Sequence, residues 1–175
     1  MRFAYSLGLL CAAAGLGQTP GAAGISADVK SINGIVSAAY ASISGPAGQP
    51  RDWTRLRSLF RDDARLIMVE LMPDGSAKPT VMDWAAFQAG FTEFLGKDAF
   101  YEKEVSHQIQ QFGHIAHVLS VYESRRSPTD PKPFMRGVNS FQLVNDGKRW
   151  WIQTLFWQDE TPADKIPPQL LGRPK

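Results

Sequence analysis

The stretch "SFQLVNDGKRWWIQTLFWQ", residues 140–158, contains two runs rich in aromatic and β-branched residues on either side of Asp146-Gly147. Such runs favour β-strands, and an Asp-Gly pair between them is typical of a tight hairpin turn. In a hairpin with a two-residue turn, neighbouring side chains alternate between two faces. Trp150 and Trp151 would then point to opposite sides of the sheet, so they cannot serve one site.

Three helices are predicted upstream of this hairpin. Apolar residues recur at three- and four-residue steps over 29–44, which predicts the first helix. Asp52 is the predicted cap of the second helix, and Thr80 opens the third, whose apolar residues recur over 81–95. The run at 64–71 and four later runs between 100 and 158 are typical of strands. Helices first and an antiparallel meander afterwards indicate an α+β domain.

Length and composition exclude several classes of protein. The chain has 175 residues, which favours a single domain that is large enough to bury a core. Hydrophobic residues make up 43% and charged residues 21%, as in ordinary globular proteins rather than disordered ones. The net charge of +2 comes from interspersed charges without a basic block, so no nucleic-acid partner is expected.

The N-terminal segment has the layout of a secretory signal peptide. A single Arg2 precedes an uncharged run over 3–17, and small residues follow. A membrane-spanning helix is the competing interpretation, but the run is shorter than the roughly 20 apolar residues that a bilayer needs. We therefore expect a periplasmic or secreted protein with no stable membrane anchor. The predicted organisation is a signal peptide over 1–24, a domain over 25–160 and a C-terminal tail over 161–175.

Cysteine chemistry and metal binding are not expected. Cys11 is the only cysteine and lies inside the predicted signal peptide, so the mature chain would have no thiol nucleophile. His114 and His117 are three apart on a strand, point to opposite sides and cannot form a two-histidine metal site. Glu102 and Glu104 share a face that the predicted register places outside, where solvated charges, or charges paired with Arg136 across the sheet, are the ordinary arrangement. No cofactor is predicted.

Register arguments assign one sheet face to the helices. A turn at Phe112-Gly113 sets His107 opposite Val118, and the Asp146-Gly147 turn sets Leu143 opposite Trp150. A mostly apolar concavity with a few polar groups is typical of a small-molecule site. The predicted ligand-binding residues on this face are Tyr101, His107, Ser120, Tyr122, Asn139 and Thr154, with Trp150 in the core or the pocket.

The opposite face is unusually apolar for a surface in contact with water. Burial against a second copy of the chain would remove this apolar area from solvent. The sequence therefore predicts a homodimer through the outer sheet face. The residues assigned to that interface are Trp151, Leu155, Trp157, Val138 and Leu119.

Two motifs in this order of elements carry a family resemblance. With "LFRDDARL" closing the second helix and "DGKRWWIQTLFWQ" closing the sheet, the chain over 29–160 resembles the nuclear transport factor 2-like superfamily, in its SnoaL-like branch named for polyketide cyclases. The resemblance implies a cone-shaped α+β barrel, with three N-terminal helices packed on a curved antiparallel sheet around a pocket. It also implies dimerisation through the outer face, as in many members.

The resemblance does not supply a catalytic set. Steroid isomerases of this superfamily place a carboxylate base five residues beyond a "DA" pair, and here that position is Met68. Dehydratase relatives use histidine with tyrosine, which His107 with Tyr122, and Tyr101, could supply. One hypothesis is an exported protein that binds a small apolar or aromatic molecule. The alternative is a cofactor-independent lyase or isomerase in which His107 moves a proton and Tyr122 or Asn139 polarises an oxygen; a hydrogen-bonded core histidine is the simpler interpretation of His107.

Overall fold

The computed structural model describes residues 27–172, so the predicted signal peptide lies outside the described residues. Within 27–172, no helix is long and apolar enough to cross a membrane. The elements are α1 (Ile32–Ile43), α2 (Trp53–Leu59), β1 (Phe60–Leu71), β2 (Ala77–Met82), α3 (Trp84–Leu95), β3 (Tyr101–Phe112), β4 (Ile115–Arg125), β5 (Met135–Asn145), β6 (Trp150–Asp159) and a short 3-10 helix (Pro168–Leu170).

Side-chain caps define where the helices begin. The predicted cap Asp52 is confirmed, because its carboxylate accepts a hydrogen bond from the backbone N–H of Arg55 at 2.9 Å. The third helix is capped by Asp83 rather than opened by Thr80. Residues 77–82 instead form β2, an edge strand that pairs with β1. The predicted start of the third helix was therefore wrong, because the preceding turn returns the chain along β1 before the helix begins.

The six strands form one open, mixed sheet in the order β2-β1-β6-β5-β4-β3. β1 and β6 are parallel, and every other neighbouring pair is antiparallel. The predicted α+β class is confirmed, whereas the expected wholly antiparallel sheet is corrected by this one parallel pair. It arises because the last strand enters the sheet between β1 and β5 rather than at an edge.

The hairpin of β5 and β6 has a longer turn than predicted. Asn145 lies opposite Trp150, so four residues form the turn, and the Asp146 carboxylate accepts from the backbone N–H groups of Lys148 and Arg149 at 2.9 Å each. Gln153 is then an extra residue in β6, because Leu143 pairs with Ile152 but Gln142 with Thr154. This β-bulge reverses which side chains of β6 face the helices.

The hairpin of β3 and β4 is also displaced from the predicted register. Phe112 pairs with Ile115, so Gly113 and His114 form the turn, and Gly113 adopts a positive φ of 53°. A second bulge follows at Val105, between the pairs Ser106–Val121 and Glu104–Tyr122. On the N-terminal side of Val105, Glu102 and Glu104 therefore face the helices, although they were predicted to face outward.

The helices pack on one face of the sheet and form a single core with it. Side chains near the hairpin turns, such as Val118, Phe141, Leu143, Trp150 and Ile152, are buried against α1 and α2. The tyrosine side chain of α1 joins this core edge-on to Phe141, with ring centroids 6.3 Å apart. Trp150 is therefore a core residue, one of the two roles predicted for it.

The outer face differs most from the sequence prediction. Leu155 and Trp157 follow the bulge in β6 and face the helices, so their assignment to an outer interface was wrong. Trp151 is half-buried, and its indole N–H donates to Asp146 at 2.8 Å while the Arg149 guanidinium stacks 3.6 Å from its ring centroid.

The C-terminal tail covers part of this outer face. Ile166 is buried, and the Gln108 side chain donates to the backbone oxygen of Gln169 at 3.1 Å. The Ser106 hydroxyl also donates to the backbone oxygen of Leu170. Val121, which pairs with Ser106 on the neighbouring strand, is only 1% exposed. Homodimerisation through the outer face stays a prediction, with less free apolar surface than expected.

Candidate ligand cavity

A cavity of about 310 Å³ lies between the helices and the inner face of the sheet. Along the strands, the two bulges separate this cavity from the hairpin turns. Most of its wall is apolar, because α1 and α3 present their buried faces to strands that turn aliphatic and aromatic side chains inward. The apolar lining residues are Ala39, Ile43, Leu56, Phe60, Met68, Met82, Phe87, Gly90, Phe91, Phe94, Met135, Phe141, Leu155 and Trp157.

Aromatic side chains of α3 and β6 form one wall of the cavity. The rings of Phe87 and Trp157 meet edge-on with centroids 6.1 Å apart, and Phe87 and Phe91 lie 5.7 Å apart. Phe94 is 48% exposed although it lines the cavity, and Gly90, one turn earlier on α3, is also exposed. The mouth of the cavity therefore lies beside the C-terminal half of α3.

Five polar side chains occupy the other end of the cavity, and the two bulges position two of them. Glu102 faces inward because of the bulge in β3, and Asp159 because of the bulge in β6. The remaining three are Tyr40 on α1, Tyr122 on β4 and Asn139 on β5.

Gly137 makes room for the ring of Tyr122. A Cβ at this position would lie 2.5 Å from the backbone oxygen of Gln158 and equally close to Cζ of Tyr122. Because such contacts are closer than atoms tolerate, only glycine allows Tyr122 to cross β5 here. The Tyr122 hydroxyl consequently reaches Asp159 on the next strand and donates a hydrogen bond to its carboxylate.

Burial changes the acidity of this polar end. It raises the pKa of Glu102 to about 7, a shift that the Ser124 hydroxyl opposes by donating to the carboxylate at 2.8 Å and that the charge of Asp159 reinforces. Asp159 stands partly exposed at the rim, and its partial burial raises its pKa. Burial, followed by the charge of Asp159, raises the pKa of the Tyr122 hydroxyl, so this phenol stays neutral at physiological pH.

A chain of hydrogen bonds leads from the cavity to the edge of the sheet. The Asn139 amide donates to the Tyr40 hydroxyl at 3.0 Å, and this hydroxyl lies 2.7 Å from that of Ser120. Ser120 donates to one Glu104 oxygen at 2.6 Å, and the other Glu104 oxygen lies 2.9 Å from Nδ1 of His107. Tyr40, Ser120 and Asn139 are buried, whereas the His107 side chain is 32% exposed.

The predicted site residues divide into three groups. Tyr122 and Asn139 line the cavity, although Asn139 lies opposite Trp157 rather than Thr154. Ser120 is fully buried behind the wall, where it holds Tyr40. His107 pairs with Ser120 rather than Val118, does not line the cavity, and is linked to Tyr40 through Glu104 and Ser120.

The remaining predicted residues lie elsewhere. Thr154 pairs with Gln142 on the outer face, because the bulge reverses β6 between Ile152 and Thr154. Tyr101 lies beside a shallow depression between α1 and β3 and does not line the main cavity. Placing Thr154 and Tyr101 in the same pocket as Asn139 was therefore wrong.

Sequence reasoning missed three of the five polar groups. Tyr40 belongs to the apolar repeat over 29–44, which predicts a core position, and Asp159 follows the last predicted strand run, which ends at Gln158. Glu102 was placed outside with Arg136 as a partner, but Arg136 instead contacts Glu160 at 3.2 Å. The sequence signal for a polar group in the cavity was the carboxylate of Glu102 within a run of strand-forming residues. Within residues 27–172, no group of three or more His, Cys, Asp or Glu side chains is arranged to hold a metal ion.

Comparisons with known proteins bear on the fold. No protein-family profile matches the sequence, and no curated protein is similar to it at a significant level. A protein of unknown function with a cystatin-like fold from Nostoc punctiforme has a TM-score of 0.55 at 12% identity, over 76% of this chain and 96% of that one. A putative ketosteroid isomerase from Parabacteroides distasonis has a TM-score of 0.52 at 12% identity, over 78% and 98%. The chain therefore shares the α+β fold of these two structures, the fold class that the resemblance to the nuclear transport factor 2-like superfamily predicted.

The likeness to solved structures extends to a Shewanella baltica protein described as NTF2-like, with a TM-score of 0.48, 15% identity and coverage of 72% of this chain and 86% of that one. At these identities, the shared fold says how the cavity is built but not what it holds. The SnoaL-like branch stays a prediction.

Proposed function

We propose that this protein binds a small, mostly apolar or aromatic molecule in the cavity between its helices and sheet. The observation that carries the proposal is a cavity of about 310 Å³ with apolar walls and polar groups confined to one end. Small-molecule sites typically combine a mostly apolar concavity with a few polar groups that orient the ligand.

Packing energetics also favour a ligand in this apolar cavity. Protein interiors are close-packed, and the walls of an apolar void lose dispersion contacts that a filled core would have. A ligand that fills this space recovers those contacts and removes its own apolar surface from water. The exposed Gly90 and Phe94 at the mouth provide a route for entry.

The proposal is tested with the neutral fluorescent dye prodan and two substitutions at the mouth. A Cβ at Gly90 meets no atom within 4 Å, so Gly90→Ala and Gly90→Phe should both fold. The large ring of Gly90→Phe should obstruct the mouth and weaken dye binding by about tenfold or more, the loss of roughly 1.4 kcal/mol of apolar contact. Gly90→Ala is the matched control and should bind as the wild type does. Absence of dye binding to the wild type, or equal binding by both variants, would contradict the proposal.

Proton transfer is a second candidate function, favoured by the carboxyl of Glu102. It lines the cavity, and its raised pKa of about 7 is suited to general acid–base catalysis at neutral pH. His107 was expected in this role, but it does not line the cavity. Glu102 is therefore the group we propose for a cofactor-independent isomerase or lyase.

One structural relative is described as a putative ketosteroid isomerase, which makes a β,γ-unsaturated ketone the first substrate to try. Conversion to the conjugated ketone is followed by ultraviolet absorbance. Glu102→Gln should lower turnover by about two to four orders of magnitude, the usual worth of general acid–base catalysis. Turnover that survives in Glu102→Gln but is lost in His107→Phe would assign the proton transfer to the histidine instead.

A further inference from the structure

We propose that the ligand is an organic cation, an apolar or aromatic body that carries one protonated amine, and that the amine sits between Glu102 and Asp159. This inference rests on the proposed binding function and names the chemical class of the ligand. It follows from the direction of the hydrogen bonds at the polar end, from its charge and from the aromatic wall.

The hydroxyl groups of Tyr40 and Tyr122 each donate their only proton to a hydrogen bond within the protein. Tyr122 donates its proton to Asp159. Ser120 donates to Glu104, so it accepts from Tyr40, whose oxygen in turn accepts from the Asn139 amide. Each hydroxyl has one proton, and the sequence of donors is therefore fixed from Asn139 to Glu104.

What remains for a ligand is a set of hydrogen-bond acceptors. Tyr40 and Tyr122 offer oxygen lone pairs, and Glu102 and Asp159 offer the carboxylate oxygens that do not accept from Ser124 and Tyr122. The second N–H of the Asn139 amide is the one donor in this group. Tyr40 and Asn139 are more than nine-tenths buried, so neither turns to water for a different partner. A protonated primary amine, with three donors and no acceptor, complements this arrangement.

The charge of the polar end leads to the same class of ligand. Among the residues of the described chain that line the cavity, none is a lysine, arginine or histidine. Two arginines on the adjoining strands β4 and β5 form ion pairs with other carboxylates, Arg125 with Glu123 at 2.7 Å and Arg136 with Glu160 at 3.2 Å. Two carboxyl groups therefore share a partly desolvated site without a countercharge, and a bound cation would supply it.

The aromatic wall suits the rest of such a ligand. Phe87, Phe91 and Trp157 surround the space beside the polar end, where they can cover an apolar body and interact with a cation through their ring faces. A carboxylate ligand would be repelled by Glu102 and Asp159. A ketone would find the Asn139 amide as its only donor unless the carboxyl groups were protonated.

A matched series of ligands tests the inference: 1-naphthylmethylamine, 1-naphthalenemethanol and 1-naphthoic acid, each competing with prodan at pH 8. The three share one aromatic body and differ in the polar group. The amine should bind about tenfold or more tightly than the alcohol, as expected for hydrogen bonds between charged partners, and the acid should bind more weakly than the alcohol.

Variants separate the carboxylates from the cavity. Glu102→Gln and Asp159→Asn should each lower the ratio of amine affinity to alcohol affinity towards one, and displacement of prodan by the alcohol shows whether the cavity is intact. Asp62→Asn removes a fully exposed carboxylate from the opposite end of the sheet and should leave the preference unchanged.

The preference should also depend on pH. On the cavity side, Glu102 is faced by Asp159 from β6, Tyr122 from β4 and Tyr40 from α1, none of which carries a positive charge. Lys103 and Arg125 line the depression on the other side of Glu102 together with Glu104, and Arg125 is paired with Glu123 at 2.7 Å. Amine affinity should therefore rise from pH 5 to pH 8 as the carboxyls lose protons, whereas alcohol affinity should stay constant.

The failures of the two proposals are distinguishable. If the alcohol binds as tightly as the amine at pH 8, or if Glu102→Gln and Asp159→Asn both keep the amine preference, the cation assignment is overturned while the binding function stands. If neither prodan nor any member of the series binds, the proposed function fails and the cation assignment fails with it.

Discussion

The two ends of the sheet's inner face use the same strands for opposite purposes. Near the hairpin turns, Val118, Leu143 and Ile152 are buried in a filled core. Beyond the bulges, the same strands surround a cavity of about 310 Å³ whose polar end includes Glu102 and Asp159. The difference teaches that one extra residue in each of two strands is enough to turn a filled layer into the wall of a cavity.

The two ends also differ in energetic character. The filled end removes apolar surface from water and gains close packing. The cavity end leaves space unfilled and holds carboxyl groups away from full hydration, both of which cost stability. The stabilising core and the cavity are therefore separated along the strands, and substitutions at the two ends should have different consequences.

Deletion of Gln153 should have the largest effect, because it removes the bulge that separates the two ends of β6. Without it, Leu155, Trp157 and Asp159 would turn to the outer face and the cavity would lose one wall. We expect a loss of more than about 5 kcal/mol in the free energy of unfolding, enough to unfold many domains of this size. Urea denaturation measures the loss. Deletion of the exposed Lys132, in the connection between β4 and β5, is the control and should cost far less.

A stable deletion variant that still binds prodan would show that β6 can bulge at another residue. In that case the position of Gln153 would not be what separates core from cavity, and the comparison between the two ends would have to rest on side-chain volume alone.

The bulges also explain how much of this fold the sequence could predict. The first two helices, the four C-terminal strands and the α+β class follow from periodicity and turn residues, which are local properties. A bulge has no comparable local pattern. The extra residue Val105 is β-branched, as residues of regular strands often are, so nothing in the sequence marks it as a bulge. Simple alternation therefore assigns Glu102 and Glu104 to the wrong face.

The sequence places site residues correctly only on the strands that neither bulge affects. Tyr122 and Asn139 lie on central strands whose inner faces are fixed by the buried core, and the sequence placed both on the inner face. Thr154 and Trp157 lie beyond the bulge in β6, where the parity of every residue changed. Tyr40 was assigned to the apolar face of its helix, and its hydroxyl joins the polar end only because Ser120 and Asn139 meet it from the sheet.

Truncation of one tryptophan from each end should give the next largest effect and a clear contrast. Trp150 is 6% exposed in the filled core, so Trp150→Ala should cost about 3 to 5 kcal/mol of unfolding free energy, as large-to-small core substitutions do. Trp157 already has the cavity on one side, so Trp157→Ala should cost less, about 1 to 2 kcal/mol, and should weaken prodan binding instead. Equal losses of stability for the two variants would indicate that the cavity end is packed as fully as the core.

The smallest effect concerns the pH dependence of stability, which should arise at the cavity end. Burial raises the pKa of Glu102 in the folded protein from its usual value of 4.5 to about 7. The folded state therefore holds this proton more tightly than the unfolded state, so the stabilisation is complete below about pH 4.5 and is lost as the pH rises to about 7. Asp159, whose pKa is also raised, acts in the same direction.

Between pH 5 and pH 8 the wild type should lose roughly 2 kcal/mol of unfolding free energy through Glu102. Urea denaturation of Glu102→Gln across this range should show a correspondingly smaller loss, and Asp62→Asn should follow the wild type. Because the chain's three histidines are present in all three proteins, their titration cancels in the comparison. Parallel curves for wild type and Glu102→Gln would mean that the Glu102 carboxyl is hydrated in the folded protein and that the polar end carries no electrostatic cost.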